Sequence, residues 1–305
     1  MRFAVQLHGS FPMRRYPELA RLVERYPFHE LTVHDILWWR PVWQILALVG
    51  QATSRVLVGP DVTHPYLMHA AVIAQNLAGL DELTQGRAVF GIGRGSLLEP
   101  LGVRRVNAES RVRDTVAQVR RLLAARGAAT AEPSFYWSPP RSSLTVFVGA
   151  FGDRMVESAA SWADEIRPPG TWDTRYFNRL RQRARSAASV ASRELAVGCE
   201  VWTSISRDRQ AARELGRQVL ARFLGSMKAM TDFYEIHHRE LSGDPAAISD
   251  RTLDTFVAAG TPEEIAEGVE RLQVAGAETV TFSGRLGPDP HVAIQLLGDV
   301  ISRIG

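Results

Sequence analysis

Short runs of β-branched and other apolar residues alternate along the whole chain with longer stretches whose apolar positions recur every three to four residues. The first kind of run fits a buried strand and the second an amphipathic helix. The pattern predicts strands at residues 2–7, 30–33, 55–59, 88–92, 145–149, 165–167, 195–204 and 279–283. It predicts helices at about 16–25, 42–52, 70–83, 110–125, 154–163, 174–191, 208–224 and 291–304. Strand followed by helix, eight times over, is the repeat of an α/β fold of the (β/α)8 barrel type, a TIM barrel. A doubly wound parallel sheet is the alternative reading.

Two stretches exceed the repeat: residues 93–108 after the fourth strand, and residues 226–276 between the seventh and eighth. Loops that follow barrel strands gather at the C-terminal face, so long insertions there suggest a lid that shapes a substrate site. Within the second, Thr261-Pro262-Glu263-Glu264 has the chemistry of a helix start: an N-cap, a proline in the first turn and acids beside the dipole.

Composition narrows the class. The 305 residues are 45% hydrophobic and 23% charged, close to the average globular protein, which excludes a disordered or collagen-like chain. That length could hold two domains of ~150 residues, but α/β barrels commonly use ~250 around one core. Residues 1–305 are therefore read as a single barrel domain. The only cysteine, Cys199, has no partner within the chain, and no Cys/His cluster has zinc spacing, so neither a disulfide scaffold nor a metal site is expected. Gln6 and His8 interrupt the N-terminus before a signal-peptide core could build up. No apolar run approaches the ~20 residues of a membrane helix, and a cytoplasmic protein with no membrane partner is expected. The net charge of +3 raises the question of nucleic acid. Its cations are almost all arginine, with Lys228 the only lysine, and they are interleaved with acids. That is the signature of solvated helix faces, residues 175–193 among them, and no nucleic-acid partner is expected.

Three segments carry candidate chemistry. Gly59-Pro60-Asp61-Val62-Thr63-His64-Pro65-Tyr66 follows a strand and must turn sharply at the catalytic face, either as a ligand-facing loop or as an ordinary tight connection. Leu80 to Arg87 ends a helix at Gly86, and Gly91-Ile92-Gly93-Arg94-Gly95-Ser96 then places glycines at alternate positions at a strand end. Such spacing lets a flat or anionic ligand approach the backbone. A dinucleotide fingerprint would need a third glycine at fixed spacing and a helix directly after it, and neither is present. Gly149-Ala150-Phe151-Gly152-Asp153-Arg154-Met155 feeds a helix N-terminus, which is either a phosphate anchor or a plain left-handed turn capped by Asp153.

These segments, with Ala163-Asp164, Gly260 to Glu264 and Leu286-Gly287-Pro288-Asp289, occur in one order along nearly the whole chain. Together they resemble the bacterial luciferase-like monooxygenase superfamily. The nearest branch is that of coenzyme F420-dependent oxidoreductases similar to methylenetetrahydromethanopterin reductase. The resemblance implies a barrel that holds a flavin or deazaflavin at its C-terminal face. It implies a cis Asp61-Val62 peptide whose bulge, with Thr63, supports the cofactor ring, and ring or phosphate contacts from Gly93, Arg94 and Gly95. The phosphate would lie on Gly149, Ala150, Phe151, Gly152, Asp153 and Arg154. Asp35 matches the family's acid at the end of the second strand, and Trp38, Trp39 and Arg40 would wall the pocket.

Two departures remove the usual proton donors: Ile36 stands where many relatives have His or Arg, and Ser96 where several have an acid. His8, His34, His64 and Glu99 are the replacements to consider, with Asp35, His64 and Glu99 as catalytic candidates and His8, His34, Trp38 and Trp39 as substrate contacts. With Ile36, Ser96 and the tryptophans at one mouth, the pocket near the reactive ring is expected to be more apolar than in relatives that handle sugar phosphates or alcohols. The reading that follows is hydride transfer between coenzyme F420 and a small organic substrate, with reduction of an activated C=C or C=N bond. An FMN-dependent monooxygenase and a non-catalytic flavin-binding relative are the alternatives, and a homodimer is left open.

Overall fold

Alternation within the strands decides the architecture. On Arg2–Leu7 (β1), Phe3, Val5 and Leu7 join the apolar core, while Gln6 reaches across to the third strand. On Glu30–Val33 (β2), Leu31 and Val33 are core residues, while Glu30 and Thr32 bond to groups on other strands. One face of each strand thus packs on the surrounding helices and the other faces a lumen, the period-two pattern of a closed sheet. Each fully buried Val, Leu, Ile or Phe of that outer layer contributes about 1.5–3 kcal/mol.

A computed structural model describes residues 1–125 and 134–304. The remaining strands are Leu57–Pro60 (β3), Phe90–Gly93 (β4), Val146–Gly149 (β5), Glu165–Ile166 (β6), Ala196–Val197 (β7), Cys199–Ile205 (β8), Val257–Gly260 (β9) and Thr279–Leu286 (β10). All pairings are parallel. β1 pairs with both β2 and β10, β2 with β3, β4 with β5, β5 with β6 and β6 with β7. Bridges Val58–Ala88 and Thr63–Ile92 join β3 to β4, and β8, which continues β7, pairs with β10. The ring therefore closes as a TIM barrel, which excludes the doubly wound sheet.

The expected seventh strand, 195–204, breaks into β7 and β8 at Gly198. A Cβ there would stand 2.7 Å from Glu165 Oε1 and 2.8 Å from the Thr279 carbonyl, so only glycine passes between β6 and β10. β9 was not expected. Its sequence, Val-Ala-Ala-Gly, has little strand propensity, and it forms because Trp202–Ile205 of β8 offers it a parallel edge. β10 runs three residues past its expected end, with a register shift between Ser283 and Leu286 where Gly284 has φ +87°. The helices lie within a few residues of their expected positions, for example Ala70–Leu83, Asp153–Ala160 and Pro290–Ile304. Thr261 caps the helix Pro262–Val274 in a reciprocal box with Glu264. Among the described residues no helix is long and apolar enough to cross a membrane.

Candidate active site

A cavity of about 1560 Å³ opens at the C-terminal ends of the strands, the face where barrel loops build sites. Asp61, Val62 and Glu200 reach it from the strands, His8, His34 and Asp35 from the ends of β1 and β2, and the turn from Gly149 to Met155 from β5. Part of the 226–276 insertion, including the helix Lys228–Phe233, forms the far wall.

The Asp61-Val62 peptide is cis. Thr32 Oγ1 donates to Asp61 Oδ2 at 3.1 Å and Gln6 Nε2 donates to the Asp61 carbonyl at 2.7 Å, which fixes the bulge from β1 and β2. On its other side Val62 lies against bare backbone: a Cβ on Gly93 would be 2.7 Å from Val62 Cγ2, and one on Gly149 3.3 Å from both methyl carbons. A Cβ on Gly95, at φ +71°, would come 2.9 Å from His64 Cγ. The alternate glycines read as room for a ligand are thus filled by the neighbouring strand and its loop. What the ligand-facing wall gains is Val62 itself.

Three residues beyond Gly149, Gly152 is the N-cap of the helix Asp153–Ala160, with φ −102° and no side-chain cap. The left-handed turn capped by Asp153 is not what forms. The Asp153 carboxylate accepts from Arg179 at 2.6 Å and pairs with Arg183 at 3.3 Å. A Cβ at Gly152 would meet nothing within 4 Å. The first-turn amides, at the positive end of the helix dipole, therefore face an open part of the cavity. Arg154, its side chain 86% exposed, pairs with Glu109 at 3.3 Å, and the Arg94 guanidinium lies 5.0 Å over the Phe151 ring.

At the ends of β1 and β2 stands an aromatic group. The His8 ring is 3.9 Å from that of Trp39 and 5.7 Å from that of His34, and its Nδ1 is 2.6 Å from Ser10 Oγ. Burial, reinforced by Arg285 and Arg222, pushes His8 down to about 4. Burial, with His8 beside it, holds His34 well below the usual imidazole range, and its Nδ1 is enclosed without a partner. Both rings are neutral at pH 7. Asp35 is raised by burial against opposing contributions from Thr63 and His64.

Under the cavity the lumen is charged. Arg167, almost fully buried, bonds Glu30 at 2.6 and 2.9 Å and Glu165 at 2.9 Å, and stacks 3.9 Å over the Phe147 ring. Arg2 reaches Glu165 from the far end at 2.8 Å. Above this group, burial and the Glu30 charge push Asp61 up to about 6, against Arg167 and the Thr32 and Gln6 hydrogen bonds. None of Glu30, Glu165, Arg167 and Glu200 was singled out from the sequence. The available signal was a charge at an inward position of a very short strand, as in Glu165-Ile166-Arg167.

A family model described as luciferase-like monooxygenase matches residues 1–279. The chain belongs to that family. The 5,10-methylenetetrahydromethanopterin reductase of Archaeoglobus fulgidus is 24% identical over 99% of this chain and 98% of its own length. The solved coenzyme F420-dependent tetrahydromethanopterin reductase of Methanopyrus kandleri superposes with a TM-score of 0.85 at 21% identity, covering 100% of this chain and 99% of that one. An F420-dependent secondary alcohol dehydrogenase, solved with an F420-acetone adduct, superposes with a TM-score of 0.83 at 17% identity over 100% and 99%.

Within this luciferase-like barrel the sequence-derived residues divide. His8, His34, Asp35, Trp39, Asp61, Val62, Arg94, Gly95 and the run from Gly149 to Arg154 meet at the cavity. Thr63 and Gly93 are buried in the backbone pairing between β3 and β4, where Gly93 N donates to the Thr63 carbonyl at 2.9 Å. His64 is buried behind Gly95, its Nδ1 accepting from the Tyr66 amide. Trp38, 51% exposed, turns outward and donates to the Leu97 carbonyl at 2.8 Å. Glu99 stands at the rim, its side chain 60% exposed and paired with Arg105. Ile36 and Ser96 do line the cavity, and Arg222, Lys228 and Arg285, which the motifs do not show, line it as well.

Proposed function

We propose that this chain is a coenzyme F420-dependent oxidoreductase that passes a hydride between a deazaflavin and a small organic substrate, reducing an activated C=C or C=N bond. One arrangement carries the reading: Val62, propped by Gly93 and Gly149, shares the cavity with the turn that runs from Gly149 to an uncapped helix N-terminus, where Gly152 leaves open space. A flat ring fits against the first and a phosphate against the second. The cavity volume, the cations at its rim and the partnerless His34 Nδ1 fit such a group as well. A deazaflavin bound there would supply the hydride. The first-turn amides and Arg154 would hold its phosphate, Val62 its ring, and His8, His34 and Trp39 the substrate. The wall from Met227 to Phe233 would exclude water. The coenzyme F420 dependence of the Methanopyrus reductase and of the secondary alcohol dehydrogenase supports the deazaflavin over FMN.

Equilibrium titration with each cofactor tests this. Coenzyme F420 is expected to bind more tightly than FMN, and a reversed order would favour the oxygen-using alternative. Gly152→Ala adds a methyl group that meets no protein atom, so folding stability should change by less than ~1 kcal/mol, the scale of an N-cap change. The same methyl group intrudes where the phosphate would approach, and cofactor affinity should fall by about tenfold, the equivalent of ~1.4 kcal/mol. Unchanged affinity would move the phosphate elsewhere.

A further inference from the structure

The lumen sets one buried guanidinium, Arg167, among four carboxyl groups: Glu30 and Glu165 in direct ion pairs, and Asp61 and Glu200 between that cluster and the cavity. Arg2 adds charge from the far end of the barrel, where its side chain is partly exposed. One buried cation does not hold four carboxylates ionised, and the two with no ion pair among the described residues, Asp61 and Glu200, are the ones that keep a proton most readily. Of these two, Asp61 accepts from Thr32 Oγ1 at 3.1 Å, which favours its ionised form, whereas Glu200, only 8% exposed, has no ion pair among the described residues and reaches the cavity wall. We infer that Glu200 is the proton donor of the site, delivering its carboxyl proton to the substrate atom that receives the electron pair when hydride adds to the other end of the double bond.

The groups that face it bear this out. Burial first and the Asp61 charge second push Glu200 up to about 8, while the Ser283 hydroxyl on β10 and Arg167, just after β6, oppose them. Its neighbour on β8, Cys199, is raised by burial and carries no charge at neutral pH. Asp35 and Asp61 also line the cavity, but Thr63 and His64 oppose the rise of the first and the second is pushed up only to about 6; the other candidates lack either the proton or the position. His8 and His34 are neutral at pH 7, His64 lies behind Gly95, and Glu99 is paired with Arg105 at the rim.

The inference rests on the hydride-transfer reading. A reduced deazaflavin held in the cavity would supply the hydride, giving up one of its own C–H bonds as the substrate carbon gains one, and the π pair of a C=N bond would move to nitrogen. The Glu200 O–H bond breaks as N–H forms, and the carboxylate regains its proton from solvent through the open cavity. No further reductant or acid is needed.

The test compares the wild type with Glu200→Gln and Glu200→Asp in three measurements: the infrared carbonyl band of a protonated carboxyl in the cofactor-free protein, the affinity for coenzyme F420, and the pH dependence of kcat. The wild type should show the band at pH 7 and lose kcat above about pH 8. Glu200→Gln should lose the band, keep cofactor affinity within about twofold, and lose at least ~100-fold in kcat, the lower range for a general acid. Glu200→Asp should restore part of the rate together with an alkaline limb. Wild-type kcat and pH profile in Glu200→Gln would overturn the inference, and so would absence of the band from the wild type at pH 7. Failure of the wild type to bind coenzyme F420 would instead fell the hydride-transfer reading, and the infrared result does not depend on it.

Discussion

Arg167→Leu is expected to destabilise the protein by about 3–5 kcal/mol, the range for removing one partner of a buried ion pair. Leucine matches the volume of the apolar stem but leaves Glu30 and Glu165 facing each other across the lumen without the group that bonds both. The Phe147 ring loses its stacked guanidinium as well. The effect should depend on pH. Glu165 is buried, which alone would raise it, yet Arg167 and Arg2 hold its carboxyl below the usual range. A depressed carboxyl contributes stability above its ordinary titration range and loses it as pH falls through the folded value. In the variant that contribution is gone and the uncompensated charges are neutralised on acidification. The gap between variant and wild type should therefore be widest at pH 7 and narrow toward about pH 4, the usual carboxylate range. Urea denaturation at both pH values measures it, and a gap independent of pH would mean that Arg167 acts by packing alone.

Gly91→Ala should be the most damaging of the methyl additions near the site. A Cβ there would stand 2.2 Å from the Pro60 carbonyl oxygen and 2.3 Å from Phe147 Cζ. The first contact is backbone and cannot rotate away, so the cost should reach or exceed the ~1–3 kcal/mol usual for overpacking. Pro60 adjoins Asp61, and Phe147 lies under Arg167, so the same push displaces both the Val62 wall and the charged lumen. Cofactor affinity and folding stability should fall together, in contrast to Gly152→Ala. A variant as stable as the wild type would show that β3 and β4 can separate without loss.

The barrel was legible because its outer layer is written in local periodicity: Phe3, Val5 and Leu7 alternate, and the helix at Ala70–Leu83 repeats its apolar face. β9 was not, because Val-Ala-Ala-Gly becomes a strand only through the edge of β8. The site was legible as segments and not as contacts. Gly91, Gly93 and Gly95 correctly marked a close approach, but a sequence cannot say whether ligand or neighbouring chain makes it, and here Pro60, Val62 and His64 do. The lumen was invisible for a related reason. Glu30 and Arg167 are 137 residues apart, and each reads alone as one charge in a short strand. Closure of the ring is what turns those isolated charges into the floor of the cavity.

The most direct measurement is a crystal structure of the protein with coenzyme F420 bound. The deazaflavin ring should lie against Val62, with the phosphate within hydrogen-bond distance of the amides of the first turn after Gly152. A ring bound away from Val62, or a phosphate held by other residues, would contradict the proposed site.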